Sequence, residues 1–207
     1  MPRKTAEERH VVDDGTSTEL MDMLIALHHP TRRWLAELLW IEGPATVGRL
    51  AARTGLAVGS VSYHVKPLHR QGFVAPAPEL ARDTRESWWK VTPRTVSWSV
   101  EDFEEGSIGR RIADQAEVEN FRHEVRAVQA WLKEMADAPA YWRRAAGSTD
   151  SMVKATAEQT ADLHRRLGEV LSAWTAEVRD DEQTHPDADR RPVRTLVRLF
   201  PSGPVRP

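Results

Sequence analysis

Residues 44–73, PATVGRLAARTGLAVGSVSYHVKPLHRQGF, decide the fold. Their spacing predicts two short helices joined by a tight turn. In the first, Leu50, Ala51 and Ala52 supply an apolar face. Arg53-Thr54-Gly55-Leu56 is the turn, with Gly55 free to take the positive φ that closes a helix. In the second, Val61, Val65 and Leu68 recur at four and three, so they share one stripe. Ser60, Ser62, Tyr63 and Lys66 are then expected to point outward. Small, hydroxylated or basic, they suit a helix laid in a DNA groove. The same periodicity also fits a helical hairpin with a solvated polar face, since helix-turn-helix patterns have many false positives.

The flanking residues favour the first reading. Upstream, PTRRWLAELLWIEG (30–43) is an amphipathic helix whose Leu35, Leu38, Leu39 and Ile41 can pack on the pair, and Gly43-Pro44 stops it. Downstream, Phe73-Val74-Ala75-Pro76 and Ser87-Trp88-Trp89-Lys90-Val91 carry strand signals. The polar loop ELARDTRE lies between them. Strand, charged loop and strand after a recognition helix make a wing.

In HHPTRRWLAELLW, in TVGRLAARTGLAVGSVSYHVKPLHRQGFV and in the wing ending at ESWWKVTP, the sequence resembles the ArsR-type winged helix regulators of bacteria. The resemblance runs from about Leu20 to Pro93, under half of the chain, and SVSYHVKPLHRQGFV carries most of its specificity. Two departures stand out. Metal-sensing members of that family carry paired cysteines on the helix before the recognition helix, and this chain has no cysteine, so VGRLAART cannot make a thiolate site. Pro67 lies inside the predicted recognition helix, where it lacks an N–H and clashes with the carbonyl of Tyr63, at a cost of about 3 kcal/mol in a regular helix. A kink, or a helix ended one turn early, is expected there. DNA-reading residues usually sit in the N-terminal part of such a helix, so binding survives either outcome.

Composition bounds the alternatives. At 207 residues the chain is one large or two small domains, and its 40% hydrophobic content is enough for a packed core. No apolar run approaches the roughly 20 residues of a membrane span. The opening MPRKTAEERHVVDDG lacks the apolar core of a secretory signal. With the absence of cysteine, this suits a reducing cytoplasm. The net charge of −2 is unevenly divided: 30–92 holds nine Lys/Arg against five Asp/Glu, and 101–137 five against ten. The basic share falls where a winged helix would meet phosphates.

The expected fold is mainly α with small β. A flexible arm (1–15) precedes a winged helix-turn-helix domain (16–93) and a C-terminal helical dimerisation and effector domain (94–207). A helix capped near Thr16-Ser17-Thr18 presents Leu20, Leu24 and Leu27, with Met23 beside them, and ends at His28-His29. In the family this first helix helps join two subunits. After Pro93, residues 94–100 alternate like a strand, with Val96, Trp98 and Val100 on one side. A long helix follows from about Ile108 to Ala136, with a heptad seam of Phe121, Val125, Val128, Leu132 and Met135. A second is expected from about Ser151 to Arg179, with a seam from Val153 to Trp174. Joined by APAYWRRAAGSTD, the two form a long antiparallel helical hairpin. Its exposed seams suit a two-fold homodimer or, alternatively, a monomer with a helical cap. Residues 193–200 carry a further strand signal, expected to pair near Trp98 in a small sheet.

No enzyme signature is present: GxSxG, GxxxxGK[ST], GxGxxG and HExxH are all absent, a Cys nucleophile is impossible, and no cofactor is implied. Asp162-Leu163-His164 faintly resembles half of a carboxylate–histidine metal site, but the second half is missing and no metal is expected. Trp98, Trp131, Tyr141, Trp142 and Trp174 are candidates to line an apolar pocket for a small-molecule effector; aromatics at helical spacing equally form core or interface.

The expected function is sequence-specific, double-stranded DNA-binding transcriptional regulation by a homodimer on a pseudo-palindromic operator. Ser60, Ser62 and Tyr63 are placed nearest base edges, and Lys66 and an outward His64 on phosphate or guanine. Arg82 and Arg85 of the wing reach the backbone or minor groove, and Thr46 caps a helix N-terminus against a phosphate. Repression is implied by the resemblance alone. The alternative is a winged-helix protein–protein interaction module without DNA binding, which an acidic or bulky apolar Ser60–Lys66 face would favour; the face is neither.

Overall fold

A computed structural model describes residues 14–83, 86–92 and 98–204. By contacts the chain forms two compact units, one running through Lys133 and one starting at Glu134. The domain boundary expected after Pro93 falls at residues 93–97, outside the described ones.

The first unit opens with helix α1 (Asp14–Leu27) and α2 (Pro30–Ile41). Pro30 occupies the first turn of α2, where a missing N–H costs nothing. Gly43, at φ 84°, turns the chain away after it. A two-residue strand, β1 (Ala45–Thr46), leads into α3 (Val47–Thr54). The Thr46 hydroxyl accepts a hydrogen bond from Arg49 N at 3.2 Å and caps α3. Gly55, at φ 73°, ends it as expected, its N–H bonded to the Ala51 carbonyl. Helix α4 (Val58–Arg70) follows. Of the two outcomes expected at Pro67, early termination is overturned: the helix continues to Arg70. The residues after Pro67 still find their acceptors, with Gln71 N bonded to the Pro67 carbonyl and Phe73 N to that of Leu68.

Strands β2 (Val74–Pro76) and β3 (Trp88–Val91) form the wing. The sheet order is β1-β3-β2, antiparallel, with Thr46 opposite Trp88, Ala75 opposite Lys90 and Val74 opposite Val91. Strand β1 carries no alternation signal because it is only two residues long. Leu35, Leu38, Leu39, Leu50, Ala51, Val61, Val65, Leu68, Phe73 and Val74 make one buried cluster. Each fully buried Leu or Val in it contributes about 1.5–3 kcal/mol. Two expected core positions are corrected. Ile41 is 52% exposed, because it lies in the last turn of α2, past the helices it was to cover. Ala52 is exposed, on the side of α3 away from Leu50.

A second cluster joins Leu24 of α1 to Phe103 and to Ala113 and Ala116 of helix α5 (Ile108–Glu134). Helix α1 therefore serves two cores, with Ala26 buried in the first and Leu24 in the second. The helices come close at Gly109: a Cβ there would lie 2.5 Å from Phe103 Cδ1 and 3.1 Å from Met21 Sδ. Polar pairs tie α5 to α2, Arg33 Nη1 donating to Asn120 Oδ1 and His123 Nε2 bonding Glu37 Oε1, both at 2.8 Å. Of the strand expected over 94–100, residues 94–97 lie outside the described ones. Trp98 and Ser99 are outside any strand, and Val100–Asp102 is a 3-10 turn capped by Ser99.

In the second unit, helix α6 (Ala140–Ala145) sits where a loop was expected. Helix α7 (Ala157–Thr184) begins later and ends later than its heptads suggest. Its start is set by a capping box: Gln159 N donates to the Thr156 hydroxyl and Thr156 N to Gln159 Oε1. Val153 consequently lies before the helix. The strand expected at 193–200 is corrected: no residue of it joins a ladder. No other strand of this unit lies among the described residues, so that backbone has nothing to pair with. Side chains hold the preceding stretch instead. The Tyr141 hydroxyl donates to Asp189 at 2.7 Å, and the Arg191 guanidinium lies 5.8 Å from the Trp142 ring centre.

Two measurements follow from this packing. Replacing Gly109 with Ala should lower the denaturation midpoint: the added methyl meets the buried Phe103 ring, at a cost of about 1–3 kcal/mol, which outweighs the gain of about 1 kcal/mol in helix propensity. His28 packs its ring 5.7 Å from Trp98, with both ring nitrogens enclosed and without a partner among the described residues. Burial, aided by Arg33, lowers its pKa from 6.5 to about 4. The unfolded chain therefore binds the extra proton first, so this contribution to stability is complete above 6.5 and is lost as pH falls towards about 4. Urea midpoints should drop between about pH 7 and about pH 5, and His28→Gln should shrink that drop.

Candidate nucleic-acid interface

Burial of Val61, Val65 and Leu68 fixes the rotation of α4 and decides what it offers outward. Gly59, Tyr63, Lys66 and Arg70 recur at helical intervals and make the outer stripe. Tyr63 is 69% exposed, and Lys66 and Arg70 are exposed. Ser60 and Ser62 are half-buried, flanking the stripe rather than crowning it. Gly59 has open space where a Cβ would be, so a ligand can come close to the backbone in the first turn. Helix α4 carries no carboxylate, so every charge it presents is positive. Sequence reasoning missed Gly59 and Arg70; the outward phase of Val61 and Val65, extended to both helix ends, contained both.

His64 does not face freely out. It is half-buried, its ring centre 4.8 Å from that of His29 and 5.2 Å from that of Tyr63. Burial first, then neighbouring Arg32, lowers its pKa. That of His29 is lowered by burial, by Arg32 and by His64 itself. Arg32 donates from Nη2 to the Ile25 carbonyl at 2.6 Å, near the C-terminus of α1. Burial lowers its pKa, as does nearby Arg70, while Tyr63 raises it.

The wing is braced by ion pairs and by Trp88. Lys90 Nζ lies 2.7 Å from Glu79 Oε1. Glu86 Oε2 accepts from Trp88 Nε1 at 2.9 Å and from the Arg82 backbone N–H at 3.0 Å, which together hold its carboxyl below the usual range. The Arg82 side chain is thereby left at the surface, exposed; Arg85 lies outside the described residues. The Arg49 guanidinium rests 4.7 Å from the Trp88 ring centre, joining α3 to β3 by a cation–π contact. Arg49 is exposed and was not singled out in the sequence, because nothing local announces a partner 39 positions on. The Thr46 hydroxyl is engaged in its cap, as expected. His69 fastens the far end of α4 to the wing through Nδ1, 3.1 Å from the Val74 carbonyl oxygen.

The five aromatic residues considered for a pocket are divided between the units. Trp98 packs on the Leu24–Phe103 cluster and on His28, a core position. Trp131 lies on α5 of the same unit. In the other unit the rings of Tyr141 and Trp142 stand 6.2 Å apart on α6, and Trp174 is exposed on α7. The Asp162 carboxylate is taken up by Arg165 and Arg166.

Residues 27–77 match a family model described as a helix-turn-helix domain. No curated protein matches the chain. Among solved structures, reduced HlyU from Vibrio cholerae is similar at 21% identity and a TM-score of 0.31, over 39% of this chain and 79% of that one. A transcriptional regulator from Thermotoga maritima is similar at 15% identity and a TM-score of 0.31, over 78% of this chain and 87% of that one. Residues 27–77 are thus similar to a helix-turn-helix domain, and together with β3 they form a helix-turn-helix followed by an antiparallel wing.

Proposed function

We infer that the chain is a transcriptional regulator that binds double-stranded DNA in a sequence-specific way, with α4 in the major groove and the β2–β3 wing beside it. One observation carries the reading: the outer stripe of α4, Tyr63 to Arg70, bears no acid, and Arg49 of α3 and Arg82 of the wing are exposed as well. Tyr63, with Ser62 and Ser60 at its edges, addresses base edges; Lys66, Arg70, Arg49 and Arg82 address phosphates. The capped N-terminus of α3 at Thr46 is a further phosphate contact. Such a surface suits a polyanion better than a protein partner, because it offers cations and hydroxyls and little apolar area beyond Val58 and Tyr63.

The molecule acts as a homodimer on a pseudo-palindromic operator and represses by occupying it. In support, Phe121, Val125, Val128 and Leu132 of α5 are exposed at heptad spacing, an apolar seam that a second copy would cover. A small apolar effector is the input we favour over a metal, since the chain has no thiolates and Asp162 is already paired with arginines.

Tyr63→Ala should reduce discrimination between operator and random duplex by about 1–3 kcal/mol, as loss of a base contact does. Arg82→Ala should weaken all sequences alike and lower the slope of log K against log salt by about 1. Gel shifts with DNA upstream of the chain's own gene, at two salt concentrations, measure both; no shift at low salt would favour the protein-docking alternative. Leu132→Asp should convert a dimer to monomer in sedimentation equilibrium, and an unchanged mass would remove the α5 seam from the interface.

A further inference from the structure

Beside the recognition stripe, two histidines and an arginine cluster, with enclosed nitrogens that have no partner among the described residues. His29, at the start of α2, and His64, in the middle of α4, bring their ring centres within 4.8 Å. The Nδ1 atom of each is enclosed and unpartnered among the described residues, as is the Nε atom of Arg32 beside them. Arg32 cannot swing away easily, since its Nη2 is bonded to the Ile25 carbonyl. The charged and titratable groups facing the pair are Arg32 from α2 and, beyond it, Tyr63 and Arg70 from α4. From α1 the printed contact with this cluster is the Ile25 carbonyl, which accepts from Arg32. His28, next in the chain, turns its ring to Trp98 instead. Among the described residues, no carboxylate is one of the groups that shift either ring.

We propose that His29, Arg32 and His64 form a proton-linked clamp for a backbone phosphate of bound DNA, so that duplex binding takes up protons. The inference rests on the DNA-binding reading above and adds contacts and a pH dependence to it. In the free protein, two imidazolium rings at this separation would repel each other and Arg32, and partial burial penalises both charged forms. Both rings are therefore neutral near pH 7, as their lowered pKa values indicate. A phosphodiester set against the group supplies the anion that the fold omits. It stabilises the protonated rings, and each proton gained on binding then appears as a pH dependence of affinity. Tyr63, whose ring lies 5.2 Å from that of His64, links this contact to the base-reading stripe.

The test uses the full chain and a labelled mixed-sequence duplex at low salt, followed by fluorescence anisotropy between about pH 8 and about pH 6. The expected result is tighter binding as pH falls, by up to about tenfold per pH unit for each proton taken up. His29→Gln with His64→Gln should bind with a nearly flat profile, while His164→Gln, at an exposed position of α7, should keep the parental one. If the double variant fails to fold, proton NMR of the parent chain decides the matter: the His29 and His64 midpoints should rise when duplex is added. Binding whose pH dependence survives in the double variant, or midpoints unmoved by DNA, would overturn the clamp and leave DNA binding standing. Absence of any binding at low salt across the range would overturn both.

Discussion

Val61, Val65 and Leu68 lie on one side of α4 with essentially no solvent contact, held against Leu35, Leu39 and Leu50. This packing sets the direction of every other side chain on the helix. Turning α4 by a single residue would expose two valines and bury Tyr63 or Lys66, at a cost of several kcal/mol in lost burial and buried polar groups. The recognition stripe is therefore the remainder of a core. Its chemistry was free to be polar and basic because the hydrophobic effect needs only the opposite side.

Helix α1 extends the same logic beyond the domain. Its Ala26 is buried with the helix-turn-helix and its Leu24 with Phe103, Ala113 and Ala116. One helix buried on two sides makes the start of α5 part of the same unit as the recognition helix. The Arg33–Asn120 and Glu37–His123 pairs add direction to that contact. Helix α2 in turn packs on α4.

Around the stripe, cations are placed by contacts distant in sequence. Arg49 is oriented by Trp88, and Arg32 by the end of α1. Wing acids, by contrast, are satisfied locally: Glu79 by Lys90, and Glu86 by Trp88 and the Arg82 N–H. Glu79 is thus charge-paired and the Glu86 carboxylate hydrogen-bonded within the wing, while Arg82, Lys66 and Arg70 stay at the surface.

By itself the sequence determined the helix-turn-helix and its wing, since those signals are local. The four-and-three spacing of Val61, Val65 and Leu68, the positive-φ Gly55, Pro30 in a first turn and the β-favouring Trp88–Val91 each act over a few residues. It also held the true start of α7, in the Thr156–Gln159 capping box, although the heptad spacing pointed earlier. Tertiary structure alone decided the rest. Strand β1 exists only because β3 lies beside it; 193–200 joins no ladder among the described residues; Pro67 is held inside a helix that runs on to Arg70. His64 leans on His29, 35 positions away, and Ile41 is left in water. Each of these outcomes depends on which surface arrives next to which, and that is not written in any short window of the chain.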